Sequence, residues 1–141
     1  MDTKLGSYRT TDILGKSQVE LILEVYDGGI KAFKSAREHY QNENNNDGYE
    51  ELQKARKFIT HLFTTLNVEK GGDIAHNLGK LYTVMLCQID IIEASKDIAL
   101  IDNNILLLTN LRDGWVGLRD QQTQTASAQP TASVEHINTA M

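Results

Sequence analysis

Apolar residues recur at three-and-four spacing in four segments of the chain, the period of an α-helix with one buried stripe. The first opens at Ser17, where Ser-Gln-Val-Glu has the form of a capping box. Ser17 can accept from the Glu20 amide while the Glu20 side chain reaches back. Its stripe runs through Val19, Ile22, Tyr26, Gly29, Phe33, Ala36 and Tyr40, and the polar run at 42–48 should end it. Asp47 and Glu50 repeat the capping pattern for a second helix with the stripe Leu52, Ala55, Ile59, Leu62 and Leu66, widened by Phe58 and Phe63. A third should start after Gly71-Gly72, with Asp73 favoured at the positive end of the helix dipole. It carries Ile74, Leu78, Leu81, Met85, Ile89 and Ile92 inward. After a break near 95–103 comes a fourth, with Ile101, Ile105, Leu108, Leu111, Trp115 and Leu118.

No strand alternation is sustained, and the connections are short, so the pattern predicts an all-α, antiparallel four-helix bundle over residues 17–120. Residues 1–16 form an extended N-terminal arm in this reading. Residues 121–141, rich in Gln, Thr, Ser and Ala, read as a disordered tail.

The third helix has more apolar positions than a bundle core needs. Val84, Cys87, Ile91 and Ala94 fall nearly opposite its inward arc, while Leu106 and Leu107 lie off the main stripe of the fourth helix, and Leu21 adds to them from the first. An extra apolar seam has to be covered by something. Two readings stand side by side. The seam is covered by the arm, whose Leu5, Tyr8, Ile13 and Leu14 offer apolar area, or it is a groove for a partner's amphipathic segment. Both hold if a partner takes a place the arm covers first. Gly28 and Gly29, costly inside a helix, point to the close passage of another backbone, more often a neighbouring helix than a bound segment.

Composition narrows the function. With 141 residues, 40% of them hydrophobic, a single domain can bury a real core. The formal net charge of −5, with Lys and Arg scattered among acids, provides no stripe for nucleic acid. The lone Cys87 fits a reducing compartment, and no apolar run is long enough for a signal peptide or membrane span. A small cytosolic protein is expected.

Candidate chemistry is thin. A di-iron bundle needs Glu-x-x-His on two helices, whereas Asp73-x-x-His76 occurs once. Met85 reads as core filling rather than a haem ligand. Cys87 has no His or Asp one turn away, and Lys70-Gly71-Gly72-Asp73 lacks the Gly-Lys-Ser/Thr end of a phosphate loop. No enzyme activity, cofactor or metal is therefore expected. On these residues alone the alternatives are a non-catalytic adaptor that docks another protein's amphipathic segment and, behind it, a bundle metalloprotein.

Several short motifs occur in an order that resembles one family. Tyr8 in a polar arm precedes Val25-Tyr26-Asp27-Gly28-Gly29-Ile30, similar to Leu-Tyr-Asp-Gly-x-Ile of the FliS family. Asn77-Leu78-x-x-Leu81-Tyr82-x-x-Met85 and Leu111-Arg112-x-x-Trp115 follow on the third and fourth helices. The likeness covers about residues 5–118. It departs from the family at Gln18, where proline is usual, and in the Gln/Thr tail. The family comprises flagellin-specific secretion chaperones. The resemblance implies a four-helix bundle that binds the C-terminal region of new flagellin, keeps it from polymerising and holds it for export. It also implies an arm that moves when the client binds, and leaves open contact with flagellar export components. The residues expected to meet a partner are Tyr8, Leu14, Asn77, Leu81, Tyr82, Val84, Cys87, Ile91, Leu106 and Leu107. Asn77, an amide beside the inward arc, either bonds locally or bonds the client backbone.

Overall fold

The computed structural model describes the backbone of residues 17–127 and the side chains of residues 17–121. The expected arm, with Tyr8 and Leu14, and residues 128–141 of the expected tail lie outside these. Four helices follow one another: α1 Gln18–Gln41, α2 Asn45–Thr64, α3 Val68–Ser95 and α4 Ile98–Ser127. Cross-links fix their directions. Along α1 and α4, Asp27 pairs with Arg112 and Arg37 with Asp102, so the two run antiparallel. Arg56 of α2 reaches both Asp90 (2.8 Å) and Glu93 (2.6 Å) of α3. α1 packs along α2 and α4, α2 also flanks α3, and α3 and α4 meet along a shorter line.

The capping box forms as the residues dictate. The Glu20 amide donates to Ser17 Oγ at 3.1 Å, and the Ser17 amide donates to Glu20 Oε1 at 3.2 Å. Every expected stripe residue of α1 is buried. Boundaries elsewhere differ. Only Asn42–Asn44 break the chain between α1 and α2, with Glu43 at φ 63°. Asn45 already begins α2, which puts Asp47 in its first turn rather than at the cap. The start of α3 is capped by Asn67, whose side chain accepts from the Lys70 amide at 3.0 Å. The helix is then interrupted at Gly72 (φ 59°, ψ −134°), a conformation that a residue with Cβ rarely adopts. The main run of α3 therefore does start after the glycines. The break before α4 is much narrower than expected, confined to Lys96 (φ 56°) and Asp97, whose carboxylate accepts from the Ala99 amide at 2.9 Å. α4 continues to Ser127, seven residues into the stretch expected as tail.

Gly28 and Gly29 make room for side chains, not for a neighbouring backbone. A Cβ on Gly28 would lie 2.5 Å from the Phe58 ring, and one on Gly29 would lie 3.2 Å from Leu108. The core itself joins all four helices around Tyr26, Tyr82, Phe33, Ile59, Met85 and Leu108. At its centre the Tyr26 and Tyr82 hydroxyls share a hydrogen bond, and Trp115 Nε1 donates to Tyr26 Oη at 3.1 Å. This network ties α1, α3 and α4 together where each would otherwise bury an unpaired polar atom.

Burial raises the pKa of both hydroxyls above the usual tyrosine value near 10, Tyr82 further because the Tyr26 hydroxyl adds to the effect; for Tyr26 the bonds from Tyr82 and Trp115 offset part of it. The unfolded chain ionises these groups near pH 10 while the folded chain keeps them protonated. Their contribution to stability is thus complete below pH 10 and is lost as pH rises towards the raised folded values. The slope is about 1.4 kcal/mol per pH unit for each tyrosine that stays protonated. Denaturant titrations at several pH values should show a steady fall above pH 10. A flat profile there would mean that water reaches the hydroxyls.

Candidate partner-binding surface

On α3 the inward arc is buried at Leu78, Tyr82, Met85, Ile89 and Ile92, joined by Ala75 at a position the apolar pattern passed over, while Leu81, also expected inward, is only half-buried. Ile74, expected inward, is exposed, at the edge of a hollow that it lines with Leu111, Trp115 and Leu118 of α4. The opposite face carries the unexplained seam, and it is open. Val84 is 46% and Ile91 52% exposed, and Cys87 between them is exposed too. The Arg56 pairs turn the Asp90 and Glu93 side of α3 towards α2. Gln88 faces the other way and accepts from Asn104 of α4 at 2.8 Å. Val84, Gln88 and Ile91 form an i, i+4, i+7 row, so the two apolar residues flank the shoulder of α3 that borders α4.

Two apolar hollows also involve α3, and the first of them is lined by Val84 itself. One lies between α2 and α3, lined by Phe63, Leu66, Val68, Gly79 and Val84. The other lies where α3 meets the far part of α4, among Ile74, Leu78, Leu111, Trp115 and Leu118. Val84 stands on the ridge that closes the first hollow and opens the α3–α4 shoulder. The apolar surface is therefore broader than the narrow seam visible in the sequence. Phe63 and Val68, both exposed, line the first hollow beside Val84, and exposed Ile74 lines the second. Phe63, expected to widen the inward stripe of α2, is exposed instead, one residue from the end of that helix, whereas Val68 belongs to no stripe.

The expected site residues divide. Val84, Cys87 and Ile91 come together on α3, with Leu107 half-buried one turn from Asn104 on the facing side of α4. Leu106 is 59% exposed, but at 100° per residue it points away from α3 and stands apart. Leu81 is half-buried and Asn77 exposed, which removes the concern over a buried amide. Tyr82 is a correction. It is wholly buried and bonded to Tyr26, so it shapes the core rather than the surface. Tyr8 and Leu14 lie outside the described residues.

Among the described residues no three His, Cys, Asp or Glu side chains converge on a point where a metal ion could sit. No described helix is long and apolar enough to cross a membrane. The arrangement offers shape and apolar area, the means of holding another chain.

Comparison with known proteins leads to the same place. The family described as "Flagellar protein FliS" matches residues 1–123. Over 98 residues the chain is 31% identical to flagellar secretion chaperone FliSB of Pseudomonas aeruginosa, a match covering 70% of this chain and 78% of that protein. It is 36% identical over 66 residues to flagellar secretion chaperone FliS of Vibrio cholerae, covering 47% of this chain and 48% of that protein. A four-helix bundle with an exposed apolar face, matched along most of its length, thus belongs to the FliS family of flagellar secretion chaperones.

Proposed function

We propose that this protein is a cytoplasmic export chaperone that binds the C-terminal region of flagellin. In this reading it prevents premature polymerisation and keeps flagellin competent for flagellar type III export, acting without catalysis or cofactor. The observation that carries the proposal is the open apolar face of α3, with Val84 and Ile91 about half exposed above a core that is complete without them. A segment that is unstructured alone and helical in its final assembly has apolar residues that need a temporary partner. A rigid bundle with a preformed apolar face supplies one, and part of the interaction energy is spent on ordering the client. Export components would then meet the loaded complex.

Co-expression of the full chain with a flagellin C-terminal fragment should yield a complex on size exclusion. Calorimetry should show a negative heat-capacity change, the mark of apolar burial. Absence of a complex at micromolar concentrations would reject this function. Stoichiometric iron, zinc or haem in the purified protein would instead favour a metalloprotein.

A further inference from the structure

Asn104 is fully enclosed between α3 and α4. Its Nδ2 donates to Leu100 O and to Gln88 Oε1, each at 2.8 Å, but its Oδ1 meets no donor among the described residues. A buried acceptor left unpaired destabilises a fold, and an aliphatic side chain here would complete the apolar stripe of α4. Gln88, which holds the other end, is only half-buried and sits in the row between exposed Val84 and Ile91. Asn103 adds a longer bond to the same Gln88 oxygen at 3.4 Å. α1 is tied to α4, and α2 to α3, by ion pairs, whereas these neutral carboxamides link α3 to α4.

We propose that Gln88 and Asn104 form a releasable latch, and that Asn104 is a specificity-determining residue for the client. The occupant of this face is an amphipathic helix whose apolar residues, seven apart, match the spacing of about 10 Å from Val84 to Ile91. Between them it carries an Asn or Gln. Gln88 swings outward, and the client carboxamide takes its place, donating to Asn104 Oδ1 and accepting from Asn104 Nδ2. The paired amides satisfy the orphaned oxygen that the closed seam leaves unpaired. An apolar client residue at that point satisfies neither group and a charged one only one of them, at the cost of burying its charge, which supplies the discrimination. This inference rests on the client-binding reading above.

The test uses the full chain and a flagellin C-terminal fragment. Asn104→Leu should raise the thermal midpoint and weaken binding by about tenfold, the size of one well-made buried hydrogen bond. Gln88→Ala should keep the fold and speed association in stopped flow, because the side chain to be displaced is gone. Replacing the single client carboxamide by Ala should weaken binding to the wild type but not further weaken binding to Asn104→Leu, the outcome of a double-mutant cycle on a real pair. Additive losses in that cycle overturn the latch, as does an Asn104→Leu protein that binds like the wild type or melts earlier. If Asn104→Leu does not fold, Gln88→Ala decides, and unchanged or slower association overturns the proposal. A wild type that does not bind the fragment refutes the client reading itself, an outcome separate from normal wild-type binding with unaltered variants.

Discussion

Replacing Trp115 by Ala should remove about 3–5 kcal/mol of stability, the usual loss for a buried large aromatic side chain. The indole is almost wholly buried, and its N–H donates to Tyr26 Oη. Truncation therefore opens a cavity and removes a donor from a buried hydroxyl network at the same time. Because a domain of this size has only about 5–15 kcal/mol in total, the variant should unfold at a much lower denaturant concentration. Trp115→Phe keeps most of the volume and loses the hydrogen bond, so its loss should be about 1–2 kcal/mol. Circular dichroism at 222 nm through a urea titration measures both. A loss below 1 kcal/mol for the alanine variant would mean that α4 is held elsewhere.

The other large effect should appear in binding without a change in fold. Val84→Asp and Ile91→Asp together put two carboxylates on a face that is half exposed in the free bundle. The helix content and thermal midpoint should stay near wild type, since surface substitutions usually change stability by less than about 0.5 kcal/mol. In the complex the charges would be desolvated against apolar client residues, so affinity for the flagellin fragment should fall by at least about 2 kcal/mol. Calorimetry reads the loss directly. A variant that loses its circular dichroism would show the face to be core, and one that binds normally would place the client on another part of the bundle.

Much of this could be read from residue periodicity, and what could not has physical reasons. The α1 stripe from Val19 to Tyr40 is buried residue for residue, because a regular 3.6 period leaves little freedom once one face must avoid water. The helix ends were harder. Asn44 and Asn45 are both good capping residues, so composition marks the neighbourhood of a turn but not which residue begins α2. Tyr82 falls on the inward arc of α3, and it was expected to meet a partner only through the motif that carries the family resemblance. Its true partner is Tyr26, 56 residues earlier, which no local pattern reveals. Asn104 was missed for the opposite reason. It falls between Ile101 and Leu108 at three and four residues, squarely in phase with the inward stripe, and its polarity alone kept it out of the core. The open face on α3 was legible because nothing on the same helix could cover Val84 and Ile91.

Cys87 gives this face an experimental advantage. It is the only cysteine of the chain, exposed on α3 between Val84 and Ile91. A thiol-reactive dye or spin label added to the unmodified sequence will therefore attach at one defined point, at the edge of the surface a client would occupy. Trp115, the only tryptophan, is enclosed against α1. The native chain thus already holds an internal fluorophore and a single external attachment site, enough to follow encounter and departure optically without any engineered substitution.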